Sequence, residues 1–243
     1  MKQQFCEIIE NKSLTDLAWK MVLKADTAAI TAPGQFVNLK LAGLYLRRPI
    51  SICDWDDSTI TIIYKVVGEG TEQMTKLRAG DEVDTLIGLG NGYNMEKAGD
   101  APLLLGGGVG VPPMYGLAKG LIAMGKTVKV ILGFNTKEEI FYEEEFKALG
   151  AEVFVTTADG SYGTKGFVTD VMKQESYSYF FTCGPLPMFK AIEATAVTSG
   201  QYSFEERMGC GFGACMGCTC KTKYGNKRIC KDGPVLEREE IVW

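Results

Sequence analysis

Four cysteines lie within eleven residues near the C-terminus, in the stretch GCGFGACMGCTCK, although the chain contains no histidine. Cys210, Cys215 and Cys218 have the spacing C-x4-C-x2-C, and Cys230 follows farther along the chain. This is the spacing of the thiolates that bind a plant-type [2Fe-2S] cluster, in which a more distant cysteine supplies the fourth ligand. The segment from about Arg207 is too short to bury a large core, so we expect bound metal to hold it together.

A four-cysteine zinc site and unliganded thiols are the alternatives for this segment. Structural zinc sites of that kind usually have two separated C-x2-C pairs, whereas this segment has one. The glycines between the cysteines let the backbone wrap closely around a small cluster and direct N–H groups at its sulfur atoms. Cys220, Cys6 and Cys53 are predicted to pack as small apolar side chains.

The composition excludes several classes of function. Without histidine the chain has no Ser-His or Cys-His nucleophile and no histidine-ligated metal, so in an enzyme a cofactor would carry the difficult step. A net charge of -4 argues against binding to nucleic acid or to an anionic membrane. The chain shows neither an apolar run long enough to span a bilayer nor the apolar core of a signal peptide, so we expect a cytoplasmic protein with free or metal-bound cysteines.

The first hundred residues have the pattern of short strands separated by turns. Alternating and β-branched residues occur in LAWKMVLKA, GQFVNLKL, TITIIYKVV and GDEVDTLIG, which predicts an antiparallel barrel or sandwich. One helix is predicted within VVGEGTEQMTKLRAGD.

From about Ala101 strands alternate with helices. The predicted strands are PLLLGGG, KTVKVILGFN, AEVFVTTADG, YSYFFTCGP and, as the last strand, QYSFEE. The predicted helices include PPMYGLAKGLIAMG, which ends at Gly125, TKEEIFYEEEFKALG, which ends at Gly150, and PMFKAIEATAVTSG. This alternation predicts a parallel sheet covered by helices.

A glycine-rich loop joins the first strand and helix of this half. LLLGGGVGVPPMYG contains Gly107, Gly108 and Gly110 ahead of Pro112 and Pro113, which suit a first helical turn. The loop is predicted to bind a dinucleotide phosphate, although it departs from G-x-G-x-x-G and a tight structural turn is the alternative. The acidic stretch GFNTKEEIFYEEEF favours NAD(H) over NADP(H), unless its glutamates are only a solvated helix face.

A second nucleotide site is predicted in the β-rich half. In LRRPISI, Arg48 can pair with a phosphate and Ser51 can hydrogen-bond the edge of a flavin. The strand IIYKV offers backbone groups and the Tyr64 ring, and GEGT offers Gly70 and Thr71 to a phosphate. An exposed strand end with two arginines is the alternative for this stretch.

Taken in order, these motifs resemble those of the electron-transfer subunits of class B, NAD-dependent dihydroorotate dehydrogenase, within the ferredoxin-reductase-like flavoproteins. The motifs are RRPIS, GEGT, GGGVGVPP, CGPLPM, ERMGCGFGACMGCTCK and ICKDGPV. They cover essentially the whole chain, and the C-terminal run with DGPV is the most specific part. The wider superfamily often has R-x-Y-S at the flavin, whereas Pro49 and Ile50 occupy the middle of that motif here.

The resemblance implies three units: an antiparallel FAD-binding β-barrel over 1–98, a doubly wound, parallel-sheet nicotinamide-binding domain over 99–206, and a [2Fe-2S] segment over 207–243. The implied FAD contacts are Arg48, Pro49, Ile50, Ser51, Ile63, Tyr64, Lys65, Gly70 and Thr71. The implied cluster ligands are Cys210, Cys215, Cys218 and Cys230, and Cys183 is expected near the nicotinamide. The short interval between Cys218 and Cys230 is interpreted as a trimmed hairpin.

The implied activity is a relay in pyrimidine biosynthesis. Electrons pass between NAD(H), FAD, the cluster and the FMN of a separate catalytic subunit that converts dihydroorotate to orotate, in a heterotetramer with two subunits of each kind. A (β/α)8 barrel for that subunit needs about 250 residues of its own, which this chain cannot supply. The alternatives are the flavin/[2Fe-2S] subunit of an NAD(P)H-ferredoxin, sulfide- or hydrogenase-type reductase, and a non-catalytic electron carrier or metal-binding module.

Overall fold

The N-terminal part of the computed structural model, which describes all 243 residues, is a closed barrel. Its elements are β1 (Lys2–Ser13), β2 (Ala18–Lys24), β3 (Phe36–Leu39), β4 (Arg48–Trp55), β5 (Thr59–Lys65), α1 (Glu69–Met74) and β6 (Glu82–Leu89). The six strands are antiparallel and close in the order β1-β2-β5-β4-β3-β6. Alternate side chains such as Met21 and Leu23 fill the interior, and the closed sheet confirms the predicted antiparallel barrel.

Strand β1 had no counterpart among the predicted strands. It is twelve residues long, but Cys6 and Ile8 are its only fully buried residues, and most of its other side chains are polar. A strand that has one short buried stretch shows little alternation, so its sequence resembles a polar terminus. Cys6 and Cys53 are both buried, as predicted.

The second part is a parallel sheet with helices on both faces. Its elements are β7 (Leu103–Gly107), α2 (Val111–Ala123), β8 (Lys129–Phe134), α3 (Glu143–Ala148), β9 (Glu152–Thr157), β10 (Thr164–Lys165), α4 (Val168–Met172), β11 (Phe180–Cys183), α5 (Leu186–Thr195) and β12 (Gly200–Ser203). Helices α2 and α3 pack on one face of the sheet, and α4 and α5 pack on the other. The doubly wound prediction is confirmed.

Helix α3 is shorter than the predicted helix over TKEEIFYEEEFKALG. A 3-10 turn at Lys137–Glu139 precedes it, and Tyr142 adopts the left-handed conformation at φ 68° between the two. The aromatic rings of Phe141 and Tyr142 are buried against the core, so tertiary packing overrides the local preference for a continuous helix.

The C-terminal segment adds a strand to the parallel sheet. It contains β13 (Thr219–Thr222), β14 (Gly225–Arg228), α6 (Ile229–Asp232) and β15 (Val235–Glu237), and β13 and β14 form a hairpin. The full sheet order is β10-β9-β8-β7-β11-β12-β15, with β15 antiparallel to β12. The prediction that QYSFEE contains the last strand of the parallel sheet is confirmed by β12, and the antiparallel β15 then covers the open edge of β12. The domain boundaries at 98/99 and 206/207 stay predictions.

No helix has both the length and the apolar character needed to cross a membrane.

Helix α2 joins the barrel to the sheet. An added Cβ at Gly116 would lie 2.8 Å from the carbonyl oxygen of Cys53 in β4, so the helix backbone lies directly against the barrel. Lys119 of the same helix forms an ion pair with Asp54 at 2.9 Å. Cys53 and Ile63 belong to the same apolar cluster as the residues of α2, so one core runs across the two parts.

We predict that Gly116→Ala destabilises the protein by about 1–3 kcal/mol, because the new methyl group meets backbone that cannot rotate away. Gly120→Ala in the same helix is the control. Its Cβ would meet only the flexible end of the Met95 side chain, with Sδ at 2.9 Å and Cε at 3.4 Å, and alanine favours helix. Urea unfolding of the two variants checks this prediction, and equal midpoints would contradict it.

Candidate functional site

A cleft of about 1600 Å³ lies between the barrel and the carboxyl edge of the sheet. Both sets of predicted nucleotide-binding residues line this one cleft. The lining includes Arg48, Pro49, Ile50, Ser51, Ile63, Tyr64, Lys65, Thr71, Gly107, Gly108, Gly110 and Cys183. Two motifs that are sixty residues apart in the sequence therefore face a common space.

The glycine-rich loop lies at the point where the strand order of the sheet reverses. Strands β7 and β11 are neighbours, and the chain leaves them toward helices on opposite faces. Ligands of doubly wound sheets bind in the crevice at this switch point. Gly110 approaches the other strand so closely that an added Cβ would lie 2.1 Å from the carbonyl oxygen of Cys183. The backbone of the glycine-rich loop, which precedes α2, therefore faces the cleft without side chains in the way. The N-terminus of α2 favours the binding of an anion at this position.

The two arginines of the LRRPISI stretch have different roles. Arg47 forms an ion pair with Asp84 at 2.8 Å and donates to the Asp84 carbonyl, so it is part of the barrel. Arg48 has no carboxylate partner and donates to the Leu46 carbonyl at 2.6 Å. Its guanidinium packs over Gly70, where an added Cβ would lie 2.1 Å from Nε. Gly70 does not line the cleft itself; it makes room for the arginine that does.

The Tyr64 ring does not face the cleft. It is buried in the barrel core, its hydroxyl donates to Asn11 Oδ1 at 3.0 Å, and burial raises its pKa to about 12. The predicted ring contact is wrong, because the side chain at this position of β5 points inward, and only the backbone remains for a ligand. The Thr71 hydroxyl is also engaged, since it caps the turn before α1 through Val67 N and the carbonyl of Gly68.

Cys183 ends strand β11 at the switch point. Burial raises its pKa to about 12, and a hydrogen bond with Ser203 opposes that shift only in part. The thiol is therefore neutral at neutral pH, which suits a packing contact rather than a nucleophile.

The cleft also contains residues that sequence reasoning missed. Phe204, Glu205 and Arg207 follow strand β12, and Asn135 and Glu139 follow strand β8, where Asn135 Nδ2 donates to Glu139 Oε2 at 3.0 Å. Both groups lie just past the carboxyl end of a parallel strand. This position could have identified them from the sequence, because loops at the carboxyl edge of a parallel sheet face the ligand crevice.

The predicted cluster ligands form two pairs. The Sγ of Cys210 accepts from the backbone N–H of Cys215 at 3.4 Å, and the Sγ of Cys215 accepts from the N–H of Cys210 at 3.4 Å. In the second pair the N–H of Cys230 donates to the Sγ of Cys218 at 3.4 Å. Glycine is required at Gly211, whose φ is 79°, because the loop turns there in the left-handed region.

The thiols differ in their tendency to ionise. Burial opposes ionisation of Cys210, but N–H groups of Cys215, Phe212 and Ala214 outweigh it and lower its pKa to about 6. Burial, a hydrogen bond that the Cys230 thiol donates to Cys218, and the negative charges of Cys218 and Cys210 raise the pKa of Cys230 to about 12. A metal centre bound by these thiols would have to displace the proton of Cys230.

The thiol pairs match the donor set of a two-iron cluster. A [2Fe-2S] cluster takes four thiolates, two on each iron, and the structure presents two thiol pairs with N–H groups directed at sulfur. Cys220 lies outside the pairs, on β13, and packs partly against the apolar core.

The barrel, the switch-point cleft and the paired thiols define a reductase of the ferredoxin-reductase type with an added iron–sulfur segment. The family model of the iron-sulfur cluster binding domain of dihydroorotate dehydrogenase B matches residues 205–242. The family model of the oxidoreductase NAD-binding domain matches residues 104–194. The dihydroorotate dehydrogenase B (NAD(+)) electron transfer subunit of Fusobacterium nucleatum is 44% identical over 257 residues, covering 99% of each chain. That of Bacillus pumilus is 42% identical over 255 residues, covering 99% of this chain and 98% of the relative. The chain belongs to this family of electron-transfer subunits.

A solved structure of the same architecture is that of an NADH-dependent reduced ferredoxin-NADP oxidoreductase, described for flavin-based electron bifurcation. Its TM-score is 0.89 at 29% sequence identity, over 99% of this chain and 90% of that one. The likeness extends through the C-terminal segment and confirms the predicted fold class.

We predict that Cys230→Ser removes or destabilises the cluster, whereas Cys220→Ser retains it, because only Cys230 belongs to a thiol pair. Iron and sulfide analysis with a visible spectrum of each purified variant checks this. Loss of iron from Cys220→Ser with full iron in Cys230→Ser would overturn the ligand assignment.

Proposed function

We propose that this chain relays electrons between NAD(H) and a separate catalytic subunit that interconverts dihydroorotate and orotate. The observation that carries the proposal is the position of the thiol loop. It packs against the same barrel strands that line the nucleotide cleft, through Asn38 of β3 and the Cys210 carbonyl. FAD, NAD(H) and an iron–sulfur cluster are the cofactors of the chain; when bound, FAD exchanges a hydride with the nicotinamide and single electrons with the cluster.

The chain's own residues bind and orient these groups. On the barrel side, Arg48 offers a guanidinium without a carboxylate partner to an FAD phosphate, and Ser51 offers a hydroxyl. Pro49, Ile50, Ile63 and Lys65 line the same wall, together with the backbone of Tyr64 and Thr71. On the sheet side, Gly107, Gly108 and Gly110 present backbone to the dinucleotide, and Cys183 lies beside the nicotinamide. Cys210, Cys215, Cys218 and Cys230 ligate a [2Fe-2S] cluster.

A partner subunit completes the reaction. Oxidation of dihydroorotate needs a further site, and the barrel, the sheet domain and the thiol segment already occupy the 243 residues of this chain. We propose that the partner carries FMN and that two subunits of each kind assemble. All eight cysteines are free, which fits the reducing cytoplasm that we propose as the location.

The second candidate function is that of a reductase subunit serving ferredoxin and a nicotinamide cofactor. The full-length likeness to the NADH-dependent reduced ferredoxin-NADP oxidoreductase favours it. The relatives at 42–44% identity favour the dihydroorotate partner. The two candidates differ in the partner and not in the cofactors of this chain.

We predict that the purified chain oxidises NADH with an artificial electron acceptor but does not oxidise dihydroorotate by itself. Adding the catalytic subunit should produce dihydroorotate-dependent reduction of NAD, because the missing site is then present. Steady-state assays with and without the partner check this. Robust dihydroorotate oxidation by the isolated chain would refute the relay, and coupling to ferredoxin but not to the catalytic subunit would favour the second candidate.

We predict that Arg48→Gln weakens FAD binding about tenfold or more, since a charge-assisted hydrogen bond is worth about 1.5–3 kcal/mol. Arg78→Gln is the control: Arg78 belongs to the same barrel, is exposed, and donates only to the carbonyls of Thr75 and Leu77. Flavin titration of the deflavinated proteins measures both affinities. Unchanged affinity in Arg48→Gln would remove Arg48 from the site.

A further inference from the structure

Asn38 connects the barrel to the thiol loop. Its side chain is 1% exposed, and its Nδ2 donates to the carbonyl oxygen of Cys210 at 3.4 Å. Gly211 lies so close that an added Cβ there would be 2.3 Å from Asn38 Nδ2. The amide is therefore enclosed between β3 and the first turn of the loop that carries Cys210 and Cys215.

The hydrogen-bonding capacity of this amide is largely unused within the chain. Its Oδ1 is buried without a partner, and the Cys210 carbonyl is the one acceptor for its two N–H groups. An unsatisfied buried polar group costs about 1–3 kcal/mol. An apolar residue would avoid this cost, so a polar side chain at this position calls for an explanation beyond packing.

The backbone of Asn38 is held by strand β4 and by Arg47, the residue that precedes this strand. Asn38 pairs with Pro49 of β4, between the cleft residues Arg48 and Ile50. The ion-paired Arg47 donates to the Asn38 carbonyl at 3.3 Å. The residue that contacts the cysteine loop is thus fixed to the strand that lines the nucleotide cleft.

We propose that Asn38 is a positioning residue for electron transfer, and this rests on the proposed function. Its amide sets the position of the Cys210 turn relative to the flavin-binding strand. It also places an N–H donor on the barrel side of the cluster loop. The donor engages the carbonyl of a cluster ligand rather than a sulfur atom, and the positive end of its N–H dipole beside that ligand stabilises the more negative, reduced state of the cluster. Loss of this donor therefore lowers the reduction potential.

The test compares three substitutions of Asn38 in the full, cofactor-loaded chain. Asn38→Asp keeps the shape, removes the donor and adds negative charge; Asn38→Ala removes the donor alone; Asn38→His keeps an N–H at a similar distance from the backbone. The midpoint potential of the cluster is measured in a redox titration monitored by its EPR signal. We expect this potential to be highest in Asn38→His, lower in Asn38→Ala and lowest in Asn38→Asp. We also expect the rate of cluster reduction after mixing with NADH to fall severalfold in Ala and Asp, while flavin reduction by NADH stays unchanged.

Asn91→Ala is the matched control. Asn91 also joins the barrel region to the C-terminal segment: its side chain bonds Val235 O at 2.8 Å, Val235 N at 3.0 Å and, at 3.4 Å, the carbonyl of Asp232 at the end of α6. It makes no hydrogen bond to the turn that carries Cys210 and Cys215. This variant should lose thermal stability without a change in the cluster potential or EPR signal. Wild-type potential and EPR signal in both Asn38→Asp and Asn38→Ala, or the same shift in Asn91→Ala, would overturn the proposal. Absence of flavin or cluster from the wild-type chain would instead refute the proposed function.

Discussion

The contact between helix α2 and strand β4 is the constraint on which the rest of the structure depends. Because Gly116 has no side chain, the helix backbone lies against the Cys53 carbonyl, and barrel residues such as Cys53 and Ile63 join the apolar cluster on one face of the sheet. This contact fixes the barrel relative to the sheet, and the nucleotide cleft lies between them. The glycine-rich loop at the start of α2 and the LRRPISI strand then face each other across it, as two binding surfaces on rigid elements.

A second set of contacts attaches the thiol loop to this frame. Strand β15 extends the sheet, Asn91 bonds both main-chain groups of Val235, and Cys218 and Cys230 lie in the same apolar cluster as Phe180. A glycine-rich segment with few apolar residues thus obtains most of its core from the neighbouring domain. We infer that the distance between the nucleotide cleft and the thiol pairs is set by these shared contacts, which is what efficient electron transfer between them requires.

Sequence reasoning succeeded wherever the signal was local. Cysteine spacing predicted the four paired thiols, turn residues marked the glycine-rich loop, and periodicity predicted most of the strands and helices. It failed where a distant neighbour decided the outcome. Tyr64 points into the barrel because of the strand's orientation, and Arg47 differs from Arg48 because Asp84 is close to only one of them. The family resemblance supplied the arrangement of cofactors, which periodicity alone does not contain.

The amino-acid sequence by itself determined the chemistry available to this protein: thiolates but no imidazole, two glycine-rich turns, and a strand with a pair of arginines. These properties depend on residue type and short-range spacing, which are fully present in a linear chain. Tertiary structure decided which arginine faces the cleft, where the thiol loop lies relative to the nucleotide site, and why the amide of Asn38 is enclosed beside Cys210. Those outcomes depend on contacts between residues far apart in the chain, such as Asn38 and Cys210, and only the closed barrel packed against the sheet brings them together.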